Sequence, residues 1–209
     1  MQESELYASI KTFIRYTCKY PCVTTEAGRQ GIGYVDVFGA RYKNLETFEI
    51  ETVGVEVKFW KKAASTDFGQ AKGYSVFCDK VYFASTKWIE NVEVFNDVDI
   101  KIAKHLGIGL IKIEDEKPCI VLEAPSYRPM IEIRDDVLRA KDIYRCVSCN
   151  ILDIYQKNVT TWDSDTKITS WTRDKIKEGK GLLIKNEDKF YCNRCAKKKL
   201  KLGENRLFI

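Results

Sequence analysis

"GVEVKFWKKAASTDFGQAKGYSVFCDKVYFAS", Gly54–Ser85, is the stretch on which the fold turns. It alternates Val55, Val57 and Phe59 with Glu56 and Lys58, then runs into a segment bearing Gln70, Lys72 and Tyr74. In a strand, residues i and i+2 share a face about 6.6 Å apart, so Glu56 and Lys58 lie side by side opposite the valines. A charged strand face is ordinarily the solvated one. Upstream, "YVDVFGARY" places Asp36 in the same way between Val35 and Val37. If these two strands pair, two carboxylates and a lysine converge. Paired carboxylates repel unless a cation lies between them.

The surrounding pattern predicts an α/β chain. Leu6, Ile10, Phe13 and Ile14 recur at helical spacing, which predicts an amphipathic helix from Ser4, its N-cap, to about Cys18. "YPCVTTEAGRQGIG", with Pro21 and three glycines, reads as a loop. "YVDVFGARY" and "TFEIETVGVEVKFW" read as strands, "STDFGQAKGYSVFC" as a short helix weakened by Gly73, and "KVYFAS" as a buried strand. "NDVDIKIAKHLG" is a helix closed by Gly107, and "IGLIKIE" and "PCIVLEA" are two more strands. Helices interleaved with strands indicate a mixed sheet flanked by helices. Two prolines in "APSYRPMIEIRDD" mark a boundary, which gives domains over residues 1–135 and 136–209.

Composition narrows the function classes. The apolar and charged fractions, 44% and 31%, are those of a globular protein. No segment has the roughly 18–20 apolar residues of a membrane span, and "MQESELYASI" lacks a signal peptide's basic and apolar regions, so the expectation is a cytoplasmic protein of cellular or viral origin. A single histidine, His105, excludes HExxH zinc sites, Cys2His2 fingers and two-histidine catalysis. Residues 1–139 carry 19 Lys/Arg against 21 Asp/Glu, whereas residues 140–209 carry 16 against 9. A basic C-terminal part points to a polyanion partner, or to a solubilising surface.

On these residues the chain resembles the PD-(D/E)XK nuclease superfamily, in which an Asp on one strand precedes Glu-x-Lys on the next. The resemblance rests on "YVDVFGA" and "VEVK" and on the order of helices and strands, and it covers Tyr34 to Ser85. Gln70-Ala71-Lys72-Gly73-Tyr74 resembles the Q-x-x-x-Y element of some branches. "CDKVYFAS" is similar to MmcB-like DNA-repair proteins, and the core is similar to archaeal Holliday-junction resolvases. Val35 stands where the motif's name has proline. The resemblance implies a restriction-endonuclease-like core that hydrolyses DNA with Mg²⁺ or Mn²⁺, on branched, recombination or repair intermediates. It implies Asp36, Glu56, the Val57 carbonyl and an acid of the first helix, best matched by Glu5, as metal ligands. Lys58 would be the catalytic lysine, with Gln70 and Tyr74 assisting. Lys61, Lys62 and Lys72 would meet DNA, and a homodimer would serve two strands.

The eight cysteines make a second constellation. In an intracellular protein they favour metal over disulfides. "RCVSCN" and "YCNRCA" supply Cys146, Cys149, Cys192 and Cys195 as two Cys-x-x-Cys knuckles, a spacing that suits one tetrahedral Zn²⁺. A pair of disulfides or a redox Cys-x-x-Cys uses the same residues. The 42 residues between Cys149 and Cys192 must close on themselves, with "ILDIYQ", "TKITSWT" and "GLLIKN" available as strands of a small zinc-ribbon-like β domain. Arg194, Lys197, Lys198 and Lys199, with Trp162, Trp171 and Tyr191 nearby, suit phosphate contact and base stacking, or a solvated face over a small core. Cys18 and Cys22 are close enough to pair or share a metal, while Cys78 and Cys119 read as core residues. The leading expectation is a metal-dependent deoxyribonuclease with a zinc module. The alternative is a non-catalytic, zinc-ribbon nucleic-acid-binding protein.

Overall fold

The computed structural model describes residues 3–59, 64–86, 93–154, 159–163, 165–178, 180–184, 187 and 189–200. The chain divides into two units, Met1–Ala140 and Lys141–Ile209.

The first unit is an α/β structure with a six-stranded mixed sheet. Helix α1 (Glu3–Tyr16) precedes strands β1 (Cys22–Arg29), β2 (Gly33–Asn44) and β3 (Glu49–Lys58). Then come α2 (Ala64–Gly73), a 3-10 turn (Tyr74–Val76), β4 (Lys80–Thr86), α3 (Asp97–Leu106), β5 (Gly109–Glu114), β6 (Lys117–Leu122) and α4 (Ile131–Ala140). The sheet order is β1-β2-β3-β4-β5-β6. The three strands β1 to β3 run antiparallel, β3, β4 and β5 run parallel, and β6 returns antiparallel. The parallel links are the ones crossed by α2 and α3, since a parallel connection needs a crossover element.

Each sheet face buries its own layer. On one, Leu6, Ile10, Phe13 and Ile14 of α1 pack on Val37, Val53, Val55, Val57 and Ala84. Each such side chain contributes about 1.5–3 kcal/mol on leaving water. On the other, Phe68 of α2 meets Phe83 edge-on at 5.1 Å, and Phe38 lies 6.5 Å from Phe77. The apolar run of β3, buried from Glu51 to Val57, follows from this double cover.

Three expectations need correction. The segment read as a loop contains strand β1, paired with β2 from Cys22↔Ala40 to Arg29↔Gly33. Its β-branched Val23, Thr24 and Thr25 outweigh the glycines, which serve the turn instead: Gly31 and Gly33 take φ of 88° and 102°. Ser4 lies inside α1, which starts at Glu3. The segment holding Pro125 and Pro129 leads into α4, which belongs wholly to the first unit. There Arg134 Nη1 donates to the Ile50 carbonyl at 3.1 Å, and Arg29 pairs with Asp136 at 2.8 Å.

The second unit joins a two-stranded sheet, β7 (Ile143–Arg145) with β8 (Leu152–Ile154), to a three-stranded one. The latter has β10 (Gly181–Ile184) between β11 (Lys189–Tyr191) and β9 (Val159–Trp162), the last parallel to it. It is not an all-β ribbon. "TKITSWT", expected as a strand, runs through Thr169, the N-cap of α5 (Ser170–Lys177), into that helix's first turn, and the Thr169 side chain accepts from the Thr172 N–H. Helix α6 (Asn193–Lys199) follows the third cysteine.

Strand β3 is tied to the entry of β4 by one buried acid. Asp79 Oδ2 accepts from the Thr52 N–H at 2.8 Å and from its hydroxyl at 2.9 Å. Asp79→Ala is expected to lower unfolding free energy by about 2–3 kcal/mol in urea titration, because it strands a buried N–H. A loss below about 0.5 kcal/mol would show that this acid does not anchor β3.

Candidate functional site

Asp36, Glu56 and Lys58 are brought together by neighbouring strands. The β2–β3 ladder ends at Val37↔Val55, and the Val57 N–H beyond it goes to Asp36 Oδ2 at 2.7 Å. On the other side, the β1–β2 register runs Thr25↔Val37 and Ala27↔Val35, with Glu26 opposite Asp36 at φ 52°. A left-handed glutamate is a strained backbone, and such strain clusters at sites of function. Asp36 therefore sits where the paired backbone opens on both sides.

Glu56 is fully buried. Tyr74 donates to its Oε2 at 2.7 Å, and that phenol also lies 2.9 Å from the Tyr34 carbonyl and accepts from Gln70 Nε2 at 3.2 Å. Gly73 closes α2, so Tyr74 reaches Glu56 from the following 3-10 turn while Gln70 stays on the helix. Glu56 Oε1 lies 2.6 Å from Lys58 Nζ, yet no donor meets it with hydrogen-bond geometry. The pair is thus a close charge contact whose angles are poor for a hydrogen bond.

The electrostatics follow from burial. Desolvation pushes the Glu56 carboxyl above the usual range and the Asp36 charge pushes it further, with Lys58 and Tyr74 offsetting only part. Desolvation raises Asp36 too, against the Val57 N–H and the Tyr7 hydroxyl. Burial works to discharge Lys58, but Glu56, Glu3 and Asp36 more than reverse it, so its pKa rises. Two neighbouring carboxyls, one of them raised by burial and by the other's charge, are oxygen donors of the kind a hard divalent cation takes.

Helix α1 supplies two residues that the sequence pattern did not reveal. Tyr7 donates to Asp36 Oδ1 at 2.8 Å, and Glu3 Oε1 lies 3.4 Å from Lys58 Nζ. They are four apart and so share one helix face, the only signal that would have found them. Glu5, the acid expected from α1, is exposed and out of phase with them. Lys72 is engaged elsewhere: its Nζ donates to the Tyr127 hydroxyl at 2.8 Å and lies 4.0 Å from that ring's centre. Lys61 and Lys62 fall outside the described residues.

In the second unit the four cysteines form one cluster. The Sγ atoms of Cys146, Cys149, Cys192 and Cys195 all lie within 4.8 Å of one another. Cys149 and Cys192 Sγ are 3.6 Å apart, too far for a disulfide and near the roughly 3.8 Å edge of a Zn–S₄ tetrahedron. The first pair sits on a turn. Asn150 closes it at φ 58°, and its N–H donates to the Cys146 carbonyl at 2.8 Å. The second pair differs from the expected knuckle, because Cys192 is the N-cap of α6 and Cys195 lies in its first turn. The long insertion closes through the Val147 N–H, which donates to the Phe190 carbonyl at 2.9 Å.

Burial raises the Cys146 thiol, but the N–H groups of Cys192, Ser148 and Cys149 bring it down to about 7. Burial, with its thiol neighbours, pushes Cys192 up to about 12. Four sulfur ligands at this spacing could hold one tetrahedral metal ion, and the cluster fits Zn²⁺, whose binding would bring the thiols to thiolates. Arg194, Lys198 and Lys199 are exposed and Lys197 half-buried, Lys199 lying 4.6 Å from the centre of the Tyr191 ring. Trp171 is 60% exposed, so it fills no core. Cys78 is buried as expected, Cys119 is exposed, and neither joins Cys18 and Cys22 in a ligand group among the described residues.

No family model matches the chain, and no curated protein matches it. A solved structure described as "SPO1766 protein of unknown function from Silicibacter pomeroyi" is similar, with a TM-score of 0.44 and 18% identity over 66% of this chain and 83% of that one. Among the described residues, no helix is long and apolar enough to cross a membrane.

Two outcomes follow. Because Glu56 holds its proton more tightly folded than unfolded, its ionisation costs stability as pH rises from the ordinary carboxylate range through the raised value. Glu56→Gln lacks that titration. Its melting temperature relative to wild type is expected to climb between about pH 4 and about pH 7 in buffer free of divalent ions, and a flat difference would refute the burial argument. For the cysteines, elemental analysis should find one zinc per chain, lost in Cys146→Ser together with the second unit's cooperative unfolding. Binding energy at such sites is folding energy, on the order of 10 kcal/mol.

Proposed function

We propose that the protein is a metal-dependent deoxyribonuclease of PD-(D/E)XK type with a zinc-bound second unit. The observation that carries this reading is the half-buried Asp36 and the buried Glu56 on adjacent strands, the charge of the first raising the carboxyl of the second, with Lys58 Nζ 2.6 Å from Glu56. Asp36, Glu56 and the Val57 carbonyl would hold Mg²⁺ or Mn²⁺. A cation so held lowers the pKa of water and polarises a phosphodiester. Tyr7 and the Val57 N–H fix the Asp36 carboxylate, while Tyr74, itself held by Gln70, fixes Glu56. Such outer hydrogen bonds orient ligands. Lys58, with its raised pKa, acts as a cation that stabilises charge developing on phosphate rather than as a base. Zn²⁺ on Cys146, Cys149, Cys192 and Cys195 is structural, since a four-cysteine site has no open position. Arg194, Lys197, Lys198 and Lys199 give DNA phosphates a basic surface.

One observation favours a second reading, a nucleic-acid-binding protein without catalysis. Lys58 already pairs with both Glu56 and Glu3, which balances charge without a divalent ion.

Supercoiled plasmid, a four-way junction and single-stranded DNA, each incubated with protein and Mg²⁺ or Mn²⁺, distinguish the two. Cleavage is expected, falling about 10²–10³-fold in Asp36→Asn and Lys58→Met. Binding that weakens with salt but gives no cleavage with either metal would replace the nuclease by the second reading.

A further inference from the structure

The first unit holds a cavity of about 310 Å³ that shares no residue with the Asp36–Glu56 site. It opens between the turn after α1, the start of β4 and the end of β6. Its floor is apolar, from Ile14 and Val53. The size matches the lower end of small-molecule pockets, enough for a single-ring ligand.

Its polar groups are fixed in advance. Arg41 stacks over the Tyr20 ring at 4.4 Å, and its guanidinium is spent on Glu51 and on the Cys18 carbonyl, at 2.7 and 2.9 Å. It is a rigid planar wall rather than a free charge. Glu123 accepts from the Tyr82 hydroxyl through Oε2 at 2.8 Å. Lys80 is different. It is half-buried, lines the cavity and makes no hydrogen bond or ion pair among the described residues. Its charge bears on the buried Glu51 from a distance, and an incoming anion would give the ammonium a direct, charge-assisted hydrogen bond.

We propose that this cavity is a binding site for a small planar molecule with a carboxylate at one end and a hydrogen-bond donor at the other. The carboxylate pairs with Lys80. The ring lies on the floor of Ile14 and Val53 beside the Arg41–Tyr20 stack. The donor meets the second oxygen of Glu123. Placing Lys80 and Glu123 in one cavity disfavours a multiply charged anion, which the carboxylate would repel, and favours a ligand that offers each a complement.

The probes are 4-aminobenzoate and its neutral analogue 4-aminobenzamide, titrated by calorimetry and by amide chemical shifts. Millimolar binding of 4-aminobenzoate is expected, with shifts confined to the cavity residues. Lys80→Met should weaken it about ten- to a hundredfold and leave 4-aminobenzamide unchanged. Cys18→Phe places a ring in the cavity and should abolish both, which tests the site without touching a charge. No binding of 4-aminobenzoate at ten millimolar, or binding that survives both variants, overturns the proposal.

Discussion

A carboxylate without exposed surface, in the middle of a strand whose neighbours are valines, constrains everything around it. Glu56 belongs by position to the aromatic face of the sheet, beside Phe83 across the β3–β4 ladder. A valine there would continue the apolar pattern at lower cost. Burying an ionised carboxylate costs several kcal/mol unless its lone pairs and charge are met. The surroundings read as the response to that cost. Tyr74 abandons the helical run to reach Oε2, Lys58 folds back to within 2.6 Å of Oε1, and Glu3 extends the charge chain to α1. The response is incomplete, since the carboxyl still titrates high. Asp36 makes it worse, and Asp36 is itself held in place by the Val57 N–H and by Tyr7. Specific donors thus hold Asp36 where its charge adds to the cost of burying Glu56, which is the feature the proposed metal site would relieve.

The second unit answers a related problem by other means. Among its described residues, Ile176, Leu182, Ile184 and Ala196 make one small cluster and Phe190 with the cysteines makes another, while Ile143 and Leu152 are also buried. Units of this size rarely stand on such cores without a staple. The cysteine cluster is the staple, and the backbone is shaped to it. The left-handed Asn150 turns the chain back, and the Cys146 sulfur draws three N–H groups. The insertion between the pairs is long because it carries a strand–helix–strand passage, β9, α5 and β10, which a parallel pair requires.

Much of this was legible in the sequence, for identifiable reasons. Period-two alternation put Asp36, Glu56 and Lys58 on one face, and Gly107 closes α3 as expected, in the left-handed region. Paired Cys-x-x-Cys spacing located the cluster. What the pattern hid was tertiary. The glycines around β1 masked a strand whose pairing comes from β2. Glu5 matched a motif by proximity, yet helix phase selects Glu3 and Tyr7. Cys192-x-x-Cys195 looks like Cys146-x-x-Cys149 in one dimension, but Ala196 and the lysines after it favour helix over turn. Asn193 Nδ2 locks that choice by donating to the carbonyls of Ile176 and Lys180, at 2.6 and 2.8 Å.

The Lys58–Glu56 contact bears on both functional readings, and its geometry weighs between them. A purely structural salt bridge gains from aligned hydrogen bonds, because only these repay desolvation. Here the ions are close but unaligned, and one buried oxygen keeps no proper donor. Aligned geometry was attainable nearby: Arg41 reaches Glu51 through Nε at 2.7 Å, and Glu51 titrates low, as a satisfied buried acid should. The same fold thus contains a resolved buried acid and an unresolved one, five residues apart on β3. The unresolved one neighbours a second acid and lies where the ladder opens. That contrast within a single strand is the argument for the proposed cation site over a charge network complete in itself.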